Sequence, residues 1–207
     1  MIITKIERQK KNSNRRSIFV DGVYSFGISE EIFVRYTIFE GKELDDAELQ
    51  EIRQAESEYG VRSAALKYRS YRPRSKKEIT EYLYKKEFDD QVIAKAIAYL
   101  ESINLVNDQE FARTLCRDRM HLKPVGKQVM KQLLFKKGIH SGIIQHTIEE
   151  FYTDETEQDL ALQEAAKKMK RLAALPPLTA RRRLFDHLLR RGYNVSISRT
   201  IVNKLVP

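Results

Sequence analysis

Cysteine occurs once in this chain, at Cys116. A single thiol closes no intramolecular disulfide and builds no cysteine-based zinc site, and a reducing compartment fits. Proline and glycine are also scarce, at five and eight in 207 residues. They fall at element boundaries: Pro73, Pro124, Pro176 and Pro177 punctuate the chain, and Gly138 and Gly192 follow basic pairs. That scarcity argues against a loop-rich fold and for helices ended by these residues. No apolar run approaches the roughly 18 residues that cross a bilayer. Met1-Ile2-Ile3-Thr4-Lys5 opens without the apolar core of a signal peptide. A cytoplasmic protein without membrane contact is expected.

Catalytic and metal signatures are missing too. Gly126-Lys127 is followed by Gln128 and lacks the spaced glycine of a phosphate loop. No G-x-G-x-x-G or H-E-x-x-H occurs. His121, His140, His146 and His187 form no metal-ligand spacing with each other or with Cys116; His146 and Glu149 share only a solvated helix face. Asp89-Asp90 reads as a helix start rather than a magnesium site. Cys116, beside Leu115 in a helical stretch, reads as an inert thiol. No enzyme activity, cofactor or metal is expected.

What is present is charge, in blocks. Lys and Arg number 38 against 29 Asp and Glu, a net charge of +9. Residues 113–140 hold eight basic residues and one acid, Asp118; residues 141–166 hold seven acids and no Lys or Arg; residues 167–191 hold nine basic residues and one acid, Asp186. Such blocks repel themselves unless a partner or counterions neutralise them, and a net charge of this sign favours a polyanionic partner. The candidate contact residues are therefore basic: Arg69, Arg72, Arg74, Lys76, Lys123, Lys127, Lys131, Lys136, Lys137, Arg181, Arg182, Arg190 and Arg191. Each competes with a plain solvated-face or helix-capping role.

The chain opens in β. Ile2 to Gln9 suits a strand, Asn12-Ser13-Asn14 a turn, and Ser17 to Val20 and Val23 to Ile28 a hairpin about Asp21-Gly22. Ser29 should cap a short helix, and Asp45 another through Ile52. From residue 57 on, the pattern is helical and repeats. Arg72-Pro73-Arg74-Ser75-Lys76-Lys77 aligns with Lys123-Pro124-Val125-Gly126-Lys127-Gln128, 51 residues on. Ile79 and Leu83 then meet Met130 and Leu134, with Leu184 and Leu188 as a third copy. Ile93 and Ile97 meet Ile144 and Ile148, and later Ile197 and Ile201. Spacing by four puts each pair on one helix face. A preceding helix completes each copy, at about 58–69, 108–121 and 155–173. The expected fold is mainly α: three tandem three-helix repeats in an elongated, possibly curved array, after a small N-terminal β-hairpin. The boundaries are 1–56, 57–106, 107–153 and 154–207.

These segments resemble the RecX family. Arg72-Pro73-Arg74-Ser75-Lys76-Lys77-Glu78-Ile79 is similar to its R-x-R-S-x-x-E-[LI] signature, and Asp108 through Ala112 to its D-x-x-F-A element. Lys136-Lys137-Gly138-Ile139 and Arg190-Arg191-Gly192-Tyr193 match its later elements in order. Glu87 departs from the usual glycine, Val125 from a basic residue, and the last unit is one residue short. Stacked repeats lead us to expect a monomer, and the resemblance implies a regulator that binds the RecA–DNA filament. It also implies inhibition of RecA ATPase, strand exchange and coprotease activity in recombinational repair and the SOS response. Single- or double-stranded DNA would be a weak, salt-sensitive partner. Two alternatives remain open from the residues alone: an autonomous DNA-binding protein using a helix at 125–137, and a nucleic-acid enzyme, which the missing carboxylate cluster disfavours.

Overall fold

The computed structural model describes residues 1–10 and 12–206. Three strands, β1 (Ile3–Gln9), β2 (Asn12–Val20) and β3 (Val23–Ser29), pair antiparallel in the order β1-β2-β3. Asp21 and Gly22 both take positive φ, +49° and +82°, as a two-residue hairpin turn demands. Asn12-Ser13-Asn14 is strand rather than the expected turn. Asn12 pairs with Gln9 across the ladder. The cations that follow hold β2 in place. Arg15 pairs with Glu56 at 2.8 Å, and Arg16 grips Glu30 through both Nε and Nη2.

Helix α1 (Glu30–Arg35) starts at Ser29, whose hydroxyl accepts the Ile32 N–H. Helix α2 (Asp46–Ser70) starts at Asp45, whose carboxylate accepts from Glu48 N at 2.7 Å. Two separate helices were expected here; one 25-residue helix is found, and residues 56 and 57 lie inside it. The physical reason is that Ala47 to Ala55 are strong helix formers and nothing breaks the run. A Cβ on Gly60 would meet only Phe88, at ordinary contact distance. The two ends of α2 serve two cores. Leu49 and Ile52 join Ile3, Ile18, Ile28 and Ile32 against the sheet, whereas Val61 and Ala65 are buried further along.

Helices α3 (Lys76–Tyr84), α4 (Asp90–Ser102), α5 (Asp108–Leu122), α6 (Lys127–Lys136) and α7 (Ser141–Phe151) follow. They are succeeded by α8 (Asp154–Met169), α9 (Pro177–Arg190) and α10 (Val195–Leu205). They form three three-helix units: the C-terminal half of α2 with α3 and α4, then α5–α7, then α8–α10. Every aligned apolar position is buried: Ile79, Met130 and Leu184; Leu83, Leu134 and Leu188; Ile97, Ile148 and Ile201. Gly138 and Gly192 are left-handed, at +78° and +89°, and end α6 and α9 as expected; Glu87 takes the same conformation at +61° without the glycine.

Two compact units emerge by contact. One is Met1–Arg72 with Ile79–Ser102; the other is Pro73–Glu78 with Ile103–Pro207. The second holds a large apolar cluster from Phe111 to Val206. A joint recurs within it. Ser75 Oγ, just before α3, donates to Lys137 O at the end of α6 (2.7 Å), and Lys76 N donates to Asp108 Oδ1 on α5 (2.8 Å). At the position aligned with Ser75, Gly126 N donates to Arg191 O at the end of α9 (2.8 Å). Lys127 N then donates to Glu157 Oε1 on α8 (3.1 Å). The N-terminal end of one middle helix thus sits on the C-terminal end of the next. Opposite partial charges meet, and a carboxylate borrowed from the following unit caps the orphan N–H groups.

Candidate functional site

The basic residues divide into those bound within the fold and those left to solvent. Lys137, the C-cap of α6, donates to Glu78 at 2.6 Å; the Glu78 side chain is nearly buried. Glu78 also closes a reciprocal capping pair with Ser75, each side chain taking the other's N–H at 3.2 Å. Arg181 donates to Val206 O at 2.7 Å and to Asn203. Arg191 lies 3.2 Å from Glu164 and donates to Pro124 O. These three cations tie helix ends together. Arg72, Arg74 and Lys76 also have partners inside the chain.

Lys123, Lys127, Lys131 and Lys136 differ. Lys123 caps α5 at its C-terminus and the others line α6 from its first residue to its last. Among the described residues no carboxylate reaches ion-pair distance of their ammonium groups. Lys127 and Lys131, one turn apart, lie off the buried Met130/Leu134 stripe, as their spacing predicts. Arg182 and Arg190 on α9 and Arg69 on α2 likewise lack ion-pair partners among the described residues.

The acids that organise this region escaped sequence reasoning. Glu78, Asp108, Glu157 and Glu164 work by contacts 23 to 59 residues away in sequence. One signal was visible: Ser75-x-x-Glu78 has capping-box spacing.

Burial, with Glu150 nearby, pushes the Cys116 thiol up to about 12, which leaves it protonated and inert at neutral pH. Tyr152 and Tyr193 are also held protonated by burial. Asp89 accepts from Gln91 N at 2.8 Å and opens α4. No helix among the described residues is long and apolar enough to cross a membrane.

Family models cover most of the chain. Residues 1–45 match the regulatory protein RecX N-terminal domain. Residues 62–100, 107–148 and 155–202 match the first, second and third three-helix domains of RecX. The chain belongs to the RecX family. Regulatory protein RecX of Listeria monocytogenes serotype 4a (strain HCC23) is 34% identical over 200 residues, covering 97% of this chain and 74% of that protein. Its counterpart in Clostridioides difficile (strain 630) is 32% identical over 205 residues, covering 99% and 96%. A crystal structure of regulatory protein RecX superposes with a TM-score of 0.73 at 26% identity, over 98% of both chains. RecX from Lactobacillus salivarius gives 0.66 at 28% identity, over 73% of this chain and 97% of that one. The RecX three-helix domains therefore coincide with the helix triplets, and the relatives are named as regulatory proteins.

Proposed function

We propose that this RecX-family chain binds the RecA–DNA filament as a monomer, restrains RecA ATPase and coprotease activity, and catalyses nothing itself. The observation that carries the reading is the set of unneutralised lysines on α6, with Lys123 before it, in a chain of this family. A set of ammonium groups without internal carboxylates is matched by phosphate or by an acidic protein face. Arg69, Arg182 and Arg190 extend the contact set; Lys137, Arg181 and Arg191 support it by holding helix ends in place.

The experiment follows RecA turnover on single-stranded DNA with this protein added, for wild type and for Lys127→Ala/Lys131→Ala/Lys136→Ala. Wild type should suppress turnover. The triple variant should retain its helical circular dichroism and suppress less. Its binding to DNA should also fall less steeply with salt, by about two to three in log–log slope if each lysine meets a phosphate. Unchanged turnover under excess wild type would sink the reading. A groove-reading helix is a poorer fit for α6, because recognition helices lead with their N-terminal end. Here Val125 and Gly126 are buried against the end of α9.

A further inference from the structure

The middle helix of each three-helix unit exposes a large apolar side chain at one repeated place. Tyr84, Phe135 and Leu189 directly follow the buried Leu83, Leu134 and Leu188, and are 49, 74 and 36% exposed. The next residue is basic each time: Lys85, Lys136 and Arg190. One exposed hydrophobe needs no explanation. Three at the same repeat position, each beside a cation, do.

Phe135 shows the arrangement most fully. Its side chain lines a cleft of about 410 Å³ between α6 and α7, whose surface is mostly apolar and includes Ile144. Lys131 and Lys136 flank the ring, and neither ammonium has a carboxylate partner among the described residues. The apolar surface is one residue long on α6, since Lys131, Gln132 and Lys136 surround it. A docked amphipathic helix needs a row of anchors along a groove. A single flat ring with cations on both sides instead matches a stacked base between two phosphates.

We propose that Phe135 is a stacking platform for an unpaired nucleobase of single-stranded nucleic acid. Lys131 and Lys136 take the flanking phosphates. The inference deepens the reading of α6 as a polyanion face. It is tested on DNA without RecA, so its failure and that of the RecA reading are told apart.

The probes are a short oligothymidylate and an abasic strand of equal length, titrated against the full chain. Phe135→Ala should bind oligothymidylate about tenfold more weakly and the abasic strand within twofold of wild type, with circular dichroism unchanged. Phe135→Trp should restore binding. The chain has no other tryptophan, so the new indole emission should be quenched by oligothymidylate and left intact by the abasic strand. Equal losses on both strands, or none, overturn the proposal. So does a Phe135→Ala protein that binds free DNA normally yet loses the RecA–DNA filament, since the ring is then a protein anchor.

Discussion

Two glycines and one glutamate show how finely the joint is fitted. A Cβ on Gly126 would fall onto the backbone of Gly192. A Cβ on Gly192 would come within 2.5 Å of Val129 N, on a residue whose φ of +89° already resists a side chain. Backbone cannot step aside as a flexible side-chain tip can. Gly126→Ala should therefore cost on the order of 3 kcal/mol in urea unfolding, well above an ordinary surface change. Glu87 holds the same repeat position after α3 but is exposed, and pays only the left-handed penalty. Glu87→Gly should raise the unfolding free energy by about 0.5–1 kcal/mol; a loss would show that the Glu87 side chain makes a stabilising contact. The departure from glycine thus falls at the helix end where a side chain has room.

Between elements, the decisive groups are carboxylates placed on another element's N–H groups or cations. Glu157 is buried, and its acceptor role at Lys127 N replaces the side-chain cap that Gly126 cannot supply. Glu157→Ala should lower stability by about 1–3 kcal/mol, whereas Glu155→Ala, exposed on the same first turn, should be near neutral. In the N-terminal part, the bond from Arg16 holds Glu30 below the usual carboxylate range and ties β2 to α1. A lowered folded value gives stability that is complete above the unfolded carboxylate's value and lost as pH falls through the folded one. Glu30→Gln should lower stability by the same amount at neutral and alkaline pH and flatten that part of an acid unfolding curve. An unaltered acid limb would show that the pair contributes nothing to folding. What was legible in sequence follows from these ranges. Buried stripes such as Ile79/Leu83, the left-handed Gly138 and Gly192, and the caps at Ser29 and Asp45 depend on neighbours within a few residues. The engagement of Lys137 by Glu78, 59 residues away, depends on folding, so basic spacing alone could not separate joint-holding cations from the open set at Lys127, Lys131 and Lys136. The long α2 was missed for another reason: its buried positions change partner half-way, which breaks the period along one face.

For the chain as a whole, the buried thiol reports on the larger of the two compact units. Cys116 is fully buried in its apolar cluster, so a thiol reagent reaches it only when that cluster opens. Modification should be slow in native buffer and accelerate with urea along the slope of global unfolding. Rapid, urea-independent labelling would show that α5 detaches on its own. Leu134→Ala should speed it by loosening the cluster, at a cost of about 2–5 kcal/mol, whereas Lys131→Ala should not.

The joint between successive middle helices also bears on how such a chain is copied. Its terms are short: a small residue before the helix, a glycine after the basic pair of the next one, and a carboxylate at the start of the next unit's first helix. Ser75, Gly138 and Asp108 supply them once, and Gly126, Gly192 and Glu157 supply them again. Because each set is complete within two neighbouring units, duplicating residues 107–153 in tandem carries a whole joint with it: Gly126 meets the copied Gly138, and Lys127 meets the copied Asp108. Such a lengthened chain should fold with proportionately more helical signal and no loss of cooperativity. The inherited quantity is then the seam rather than the unit, and gene duplication can change the number of units without redesigning any of them.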